Sequence, residues 1–77
     1  MYKEGFNAKL KKARKEAGYT QQQVSDITGI PRGTLANFEV GRNEPDIEMI
    51  GTLADFYSVS TDWLIGTKGA NTSNNFN

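Results

Sequence analysis

The chain has no cysteine, so neither a disulfide nor a thiolate-held zinc can staple it. It has no histidine, which removes the usual metal ligand and the usual general base near neutral pH. No apolar run approaches the ~18 residues of a membrane span. The opening residues, MYKEGFNAKLKK, lack the apolar segment of a secretory signal. No Gly-rich phosphate loop and no paired acids in a cleft pattern stand in for the missing side chains, so an enzyme is the weakest reading. No metal or cofactor is expected. The 77 residues make one small domain. Packed side chains alone must hold it, and such domains are marginal. The lack of cysteine fits a reducing compartment, and the default reading is a soluble intracellular protein.

Net charge is missing too, since nine Lys and Arg balance nine Asp and Glu. That argues at first against a polyanionic partner, but the distribution argues otherwise. Residues 1–43 hold eight cations against four acids, while residues 44–77 hold one cation against five acids. A basic front and an acidic back can still steer toward phosphate.

Helical spacing accounts for what is present. Phe6, Leu10, Ala13 and Ala17 share one face of a first helix that runs from Lys3 or Glu4 to Ala17, with Gly18 as its left-handed cap. Lys9, Lys11, Lys12 and Lys15 lie off that face and are read as solvated. Further on, Ile47, Ile50, Leu53, Ala54 and Tyr57 form the apolar face of a helix capped by Asp46. Ser60 caps a last short helix through Trp63, Leu64 and Ile65 that ends at Gly66. From Thr67 the polar stretch TKGANTSNNFN is expected to be disordered, either a tail or a cut linker.

The most specific stretch is Tyr19 to Gly41, YTQQQVSDITGIPRGTLANFEVG. Thr20 and Gln23 make a capping box for a second helix, with Val24 and Ile27 pointing inward. Gly29 supplies the positive φ of a tight turn. Pro31 then suits the first turn of a third helix that buries Leu35 and Phe38. Two short helices about a glycine turn form a helix-turn-helix, whose second helix lies in the DNA major groove.

The combination Leu10, Arg14, Gly18-Tyr19-Thr20-Gln21, Val24, Thr28-Gly29, Leu35, Phe38-Glu39, Gly41, Pro45, Leu53-Ala54, Tyr57, Val59-Ser60, Trp63-Leu64 and Gly66 resembles the DNA-binding domains of phage repressor and Cro proteins. This bacterial helix-turn-helix group is also called the xenobiotic-response-element family, and the likeness covers roughly residues 6–66. The resemblance implies an all-α, five-helix domain of the lambda-repressor type over residues 1–66. It also implies that the third helix reads DNA while the second crosses the backbone. The implied protein is a cytoplasmic, nucleoid-associated transcriptional regulator, a repressor of the phage or mobile-element type. It would bind a near-palindromic operator in double-stranded DNA as a homodimer.

The residues carry this expectation as follows. Gln21 opens the second helix, where free amides favour phosphate; in similar proteins it touches the backbone and braces a reading side chain. Arg32 is placed either to grip guanine O6 and N7 or to clamp a phosphate. Gly33 departs from the family pattern of a longer polar residue; it either lets the backbone approach the groove or is a neutral loss. Thr34 is a candidate for a thymine methyl or a phosphate, and Asn37 for adenine or a phosphate oxygen. Arg42 and Asn43 follow as a loop against the backbone. The resemblance makes Arg14 and Glu39 an internal ion pair. Met49 and Phe56, with Trp63 and Ile65, are candidates for a dimer surface, and extra core is the bland alternative. A rival from another class is an antitoxin or anti-regulator that uses those four residues to bind a protein partner.

Overall fold

Every helix begins or ends where a polar cap or a glycine stands. The computed structural model describes residues 5–66 as five helices: α1 (Phe6–Glu16), α2 (Gln21–Thr28), α3 (Arg32–Val40), α4 (Ile47–Tyr57) and α5 (Thr61–Ile65). No strand occurs among the described residues. Lys3, Glu4 and the expected tail from Thr67 lie outside them.

The side chains of Thr20, Asp46 and Ser60 accept the backbone N–H of Gln23, Met49 and Trp63, so α2, α4 and α5 each start on a satisfied amide. Thr20 and Gln23 complete the capping box, with bonds of 3.1 and 2.9 Å. At the end of α1 the N–H of Tyr19 reaches the Arg14 carbonyl at 3.2 Å, and that of Gly18 reaches Lys15 at 3.0 Å. This paired closure needs the left-handed φ of Gly18. It ends α1 at Glu16 and leaves Ala17 exposed, one residue short of the expected helix and off its expected buried face.

α1 packs on α3 and α5, α2 on α3, and α4 on α5. Phe6, Leu10, Ala13, Val24, Leu35, Phe38, Ile50, Leu53, Ala54, Tyr57 and Leu64 meet in one core, which Ile30 joins from the α2–α3 turn. Besides Ala17, two expected core residues are not in it. Ile27 is 59% exposed, because the inner line of α2 runs through Gln21, Val24, Ser25 and Thr28, about a third of a turn away. Ile47 is 68% exposed, because the first turn of α4 reaches past the core, where Pro45 is buried instead.

The two isoleucines of α4 therefore have opposite fates. Ile50→Ala empties a fully buried site and is expected to cost about 2–5 kcal/mol. Ile47→Ala is expected to stay within about 0.5 kcal/mol. Urea unfolding of both variants checks this, and equal losses would contradict the packing described.

Candidate nucleic-acid interface

The turn between α2 and α3 is built from short polar bonds around a left-handed glycine. Gly29 has φ 82°, and its N–H closes on the Ser25 carbonyl at 2.9 Å. Thr28 Oγ1 donates to the Val24 carbonyl at 2.7 Å and accepts the N–H of Ile30 at 3.2 Å. With Ile30 buried as a plug, the direction in which α3 leaves α2 is set.

α3 divides cleanly into two faces. Leu35, Phe38 and Glu39 are buried, while Arg32, Gly33 and Val40 are exposed and Thr34, Ala36 and Asn37 are half-buried between them. Pro31 provides no side-chain cap, and its carbonyl takes the N–H of Thr34, so α3 presents the amides of Arg32 and Gly33 at its start. At its far end Gly41 adopts φ 87°, and the Asn37 carbonyl gathers the N–H groups of Gly41 and Arg42 at 3.0 and 2.9 Å. Asn7 of α1 closes this corner by donating Nδ2 to the Phe38 carbonyl at 3.1 Å. The positive φ favours glycine at residue 41, and a Cβ there would lie 2.6 Å from that nitrogen and push the Asn7 side chain from its bond. The loop that carries Arg42 and Asn43, both exposed, is thereby held against the end of α3.

Behind α3 lies a buried charge network. Arg14 Nε donates to Glu39 Oε2 at 2.7 Å and Nη2 to Oε1 at 3.1 Å, a two-pronged contact. Arg14 Nη1 donates to the Tyr19 carbonyl at 2.8 Å, and Gln21 Nε2 donates to Glu39 Oε1 at 3.0 Å. One carboxylate thus ties α1, α2 and α3 together. Its hydrogen bond holds the Arg14 guanidinium above its ordinary pKa, although burial works the other way. The Tyr57 hydroxyl is buried close by, with no hydrogen-bond partner among the described residues. Burial pushes its pKa up to about 12 from 10.0; Glu39 adds to the rise and Arg14 opposes it.

A helix-turn-helix family model matches residues 10–64, which spans all five helices. The chain belongs to this helix-turn-helix family. Its similar proteins include the SPbeta prophage-derived uncharacterized HTH-type transcriptional regulator YonR of Bacillus subtilis (strain 168), 40% identical over 60 residues, or 78% of this chain and 56% of that one. The HTH-type transcriptional regulator ImmR of the same organism is 40% identical over 58 residues, or 75% and 46% of the two chains. The cryptic phage CTXphi transcriptional repressor RstR of Vibrio cholerae is 29% identical over 66 residues, or 86% and 60%. The chain spans about half the length of the first two.

Within this helix-turn-helix protein the expected site residues fall into separate groups. Arg32, Gly33, Thr34, Asn37, Arg42 and Asn43 lie along the outer side of α3 and just beyond it. Gln21 stands apart: its side-chain amide donates to Glu39, and the Thr20 cap takes the Gln23 N–H, so the backbone N–H groups of Gln21 and Gln22 are the first-turn donors of α2 that face no acceptor among the described residues. Met49, Phe56, Trp63 and Ile65 are half-buried and packed against the core, and Phe56 lies with its ring centroid 5.0 Å from that of Tyr19. The most exposed large apolar residues are instead Ile27, Val40 and Ile47. Lys9 is not simply solvated as expected: its Nζ donates to the Trp63 carbonyl at 3.0 Å and sits 5.5 Å from the ring centre. Asn7 and Ile30, which help position α3, escaped the sequence reading, and Thr28 entered it only as part of the family pattern. Of the two that escaped, Ile30 carried a signal, as an apolar residue directly after the glycine of a tight turn.

Two outcomes follow from the buried network. Glu39→Ala strands the Arg14 charge and is expected to cost about 3–5 kcal/mol, enough to unfold a marginal domain, whereas the double change Arg14→Met, Glu39→Leu is expected to cost less than the single one. A double-mutant cycle in urea measures this, and two near-zero, additive losses would deny the pair its role. The Tyr57 pKa is raised on folding, so its contribution is fully present below pH 10 and declines as the unfolded phenol ionises first, between pH 10 and about 12. Thermal melts of wild type and Tyr57→Phe are therefore expected to run parallel below pH 10 and to diverge above it, with the phenylalanine variant the more alkali-resistant. Curves that stay parallel to pH 12 would count against it.

Proposed function

We propose that this chain is a sequence-specific DNA-binding regulator of transcription, a repressor of the phage or mobile-element type that acts by occupying promoter DNA. The observation that carries the reading is the division of α3. Its inner residues are packed and charge-paired, while Gly33 and Asn37 lie on the opposite side, Thr34 lies at its flank and Arg32 is exposed at the first turn, with no hydrogen bond or ion pair from the side chains of Arg32, Thr34 and Asn37 among the described residues. An exposed helix whose free donors are backed by a rigid core suits the major groove. The names of its relatives, two transcriptional regulators and one transcriptional repressor, support the same reading.

In this proposal Arg32 and Asn37 read base edges, Thr34 contacts a methyl or phosphate beside them, and the α2 N-terminus at Gln21 with the Arg42–Asn43 loop fixes register on the phosphates. Two protomers pair through the region of Met49, Phe56, Trp63 and Ile65, each of which keeps part of its apolar surface uncovered. Their two α3 helices then meet half-sites about 34–36 Å apart. Residues 44–66 carry five acids and no Lys or Arg, so that part of the chain repels DNA and favours approach by the basic first half.

Selection from random duplexes with the purified chain is expected to yield a two-fold-related consensus whose affinity falls steeply with salt. Arg32→Ala and Asn37→Ala should each weaken the selected site by about 5- to 150-fold and relax preference at one base pair. No enriched sequence would sink the proposal and favour a protein-binding role.

A further inference from the structure

Most glycines of this fold are explained by their own backbone. Gly5, Gly18, Gly29, Gly41 and Gly66 all have positive φ. Gly33 and Gly51 do not. Both lie within helices, both are exposed, and a Cβ built on either meets no atom within 4 Å. Neither conformation nor crowding inside the protein asks for glycine there, and helices disfavour it. Gly51 is on the solvent face of α4. Gly33 is on the first turn of α3, nearly opposite the buried line of Leu35, Phe38 and Glu39 at 100° per residue.

The residues that share this outward line point to what Gly33 meets. Ala36, Asn37 and the 69%-exposed Val40 continue it toward the C-terminus of α3. Apart from the Asn37 amide, the strip is low, apolar and uncharged, with Arg32 to one side and Thr34 to the other. Phosphates need donors, whereas the apolar feature of a major groove is the thymine C5-methyl. A missing Cβ lets the helix backbone approach by about one carbon–carbon bond, roughly 1.5 Å.

We infer that Gly33 seats a thymine methyl directly against the backbone of α3, and that its lack of a side chain is a specificity determinant of the DNA site. This rests on the DNA-binding reading of α3 given above. The seat excludes any larger group at that position, and it explains a helical glycine that the protein interior does not require.

The test compares Gly33→Ala with Gly51→Ala, which removes an equally unconstrained glycine on another helix, α4. Both are expected to raise Tm, by up to about 4–8 °C, with the smaller rise at Gly33 because it lies in the first helical turn. On the selected duplex Gly51→Ala binds like wild type. Gly33→Ala loses about tenfold or more in affinity with an unchanged salt slope, because no phosphate contact is lost. Replacing one particular thymine of each half-site by uracil removes the methyl and returns Gly33→Ala to near wild-type affinity on that same duplex. Unchanged binding by Gly33→Ala overturns the inference, as does a loss that persists with uracil at every thymine position. A fall in Tm for Gly33→Ala overturns it too, since the fold would then need the glycine. A wild-type chain that selects no sequence removes the DNA-binding reading itself, a failure separate from either.

Discussion

One carboxylate organises the part of this molecule that matters. Glu39 is buried at the back of α3, and its two oxygens take three hydrogen bonds, two from Arg14 of α1 and one from Gln21 of α2. A buried charge is tolerable only when paired and bonded, so each partner is confined to the position that satisfies it. The apolar core supplies cohesion but little direction, because the hydrophobic effect is non-directional. The charge network supplies direction: it fixes the rotation of α3 about its axis and its angle to α2. The buried Tyr57 hydroxyl brings α4 close to the same charges.

The turn and the loop extend this control to both ends of α3. At one end Gly29, Thr28 and Ile30 make a closed corner; at the other, Gly41 and Asn7 clasp the last carbonyls. A helix held at both ends and along its back has little freedom to rearrange. That is the condition for reading a rigid partner without a large loss of entropy. The uneven charge distribution acts at longer range, orienting the molecule before contact, and weakens as salt rises.

Much of this was legible in the residues. The caps Thr20, Asp46 and Ser60 and the glycines 18, 29 and 66 marked helix ends because their chemistry is local. The helical spacing of Leu35 with Phe38, and of Ile50 with Leu53 and Tyr57, located most of the core. Spacing failed at Ile27 and Ile47 because it shows which residues share a face, not where that face stops meeting a neighbour. A helix of eight residues, such as α2, has room for very few inward positions, and Gln21 and Thr28 occupy two of them with polar atoms. Lys9 and Asn7 were out of reach for a different reason. Their partners, the carbonyls of Trp63 and Phe38, lie 54 and 31 residues away, and backbone carbonyls leave no trace in a sequence. Among the candidate interface residues, position could be read from the helix, but the engagement of Gln21 with Glu39 could not.

The clasp at the end of α3 uses the backbone of Asn37, not its amide: the carbonyl gathers the amides of Gly41 and Arg42, and the side chain takes no part. Any residue can supply that carbonyl. The same holds along the outer line, where no side chain contributes to the charge network behind. In the proposed DNA-binding role, recognition and architecture are therefore written in different atoms of one helix. A lineage carrying this scaffold is free to drift to new DNA partners by exchanging a few outer residues, and the mount on which they are displayed would survive each exchange unchanged.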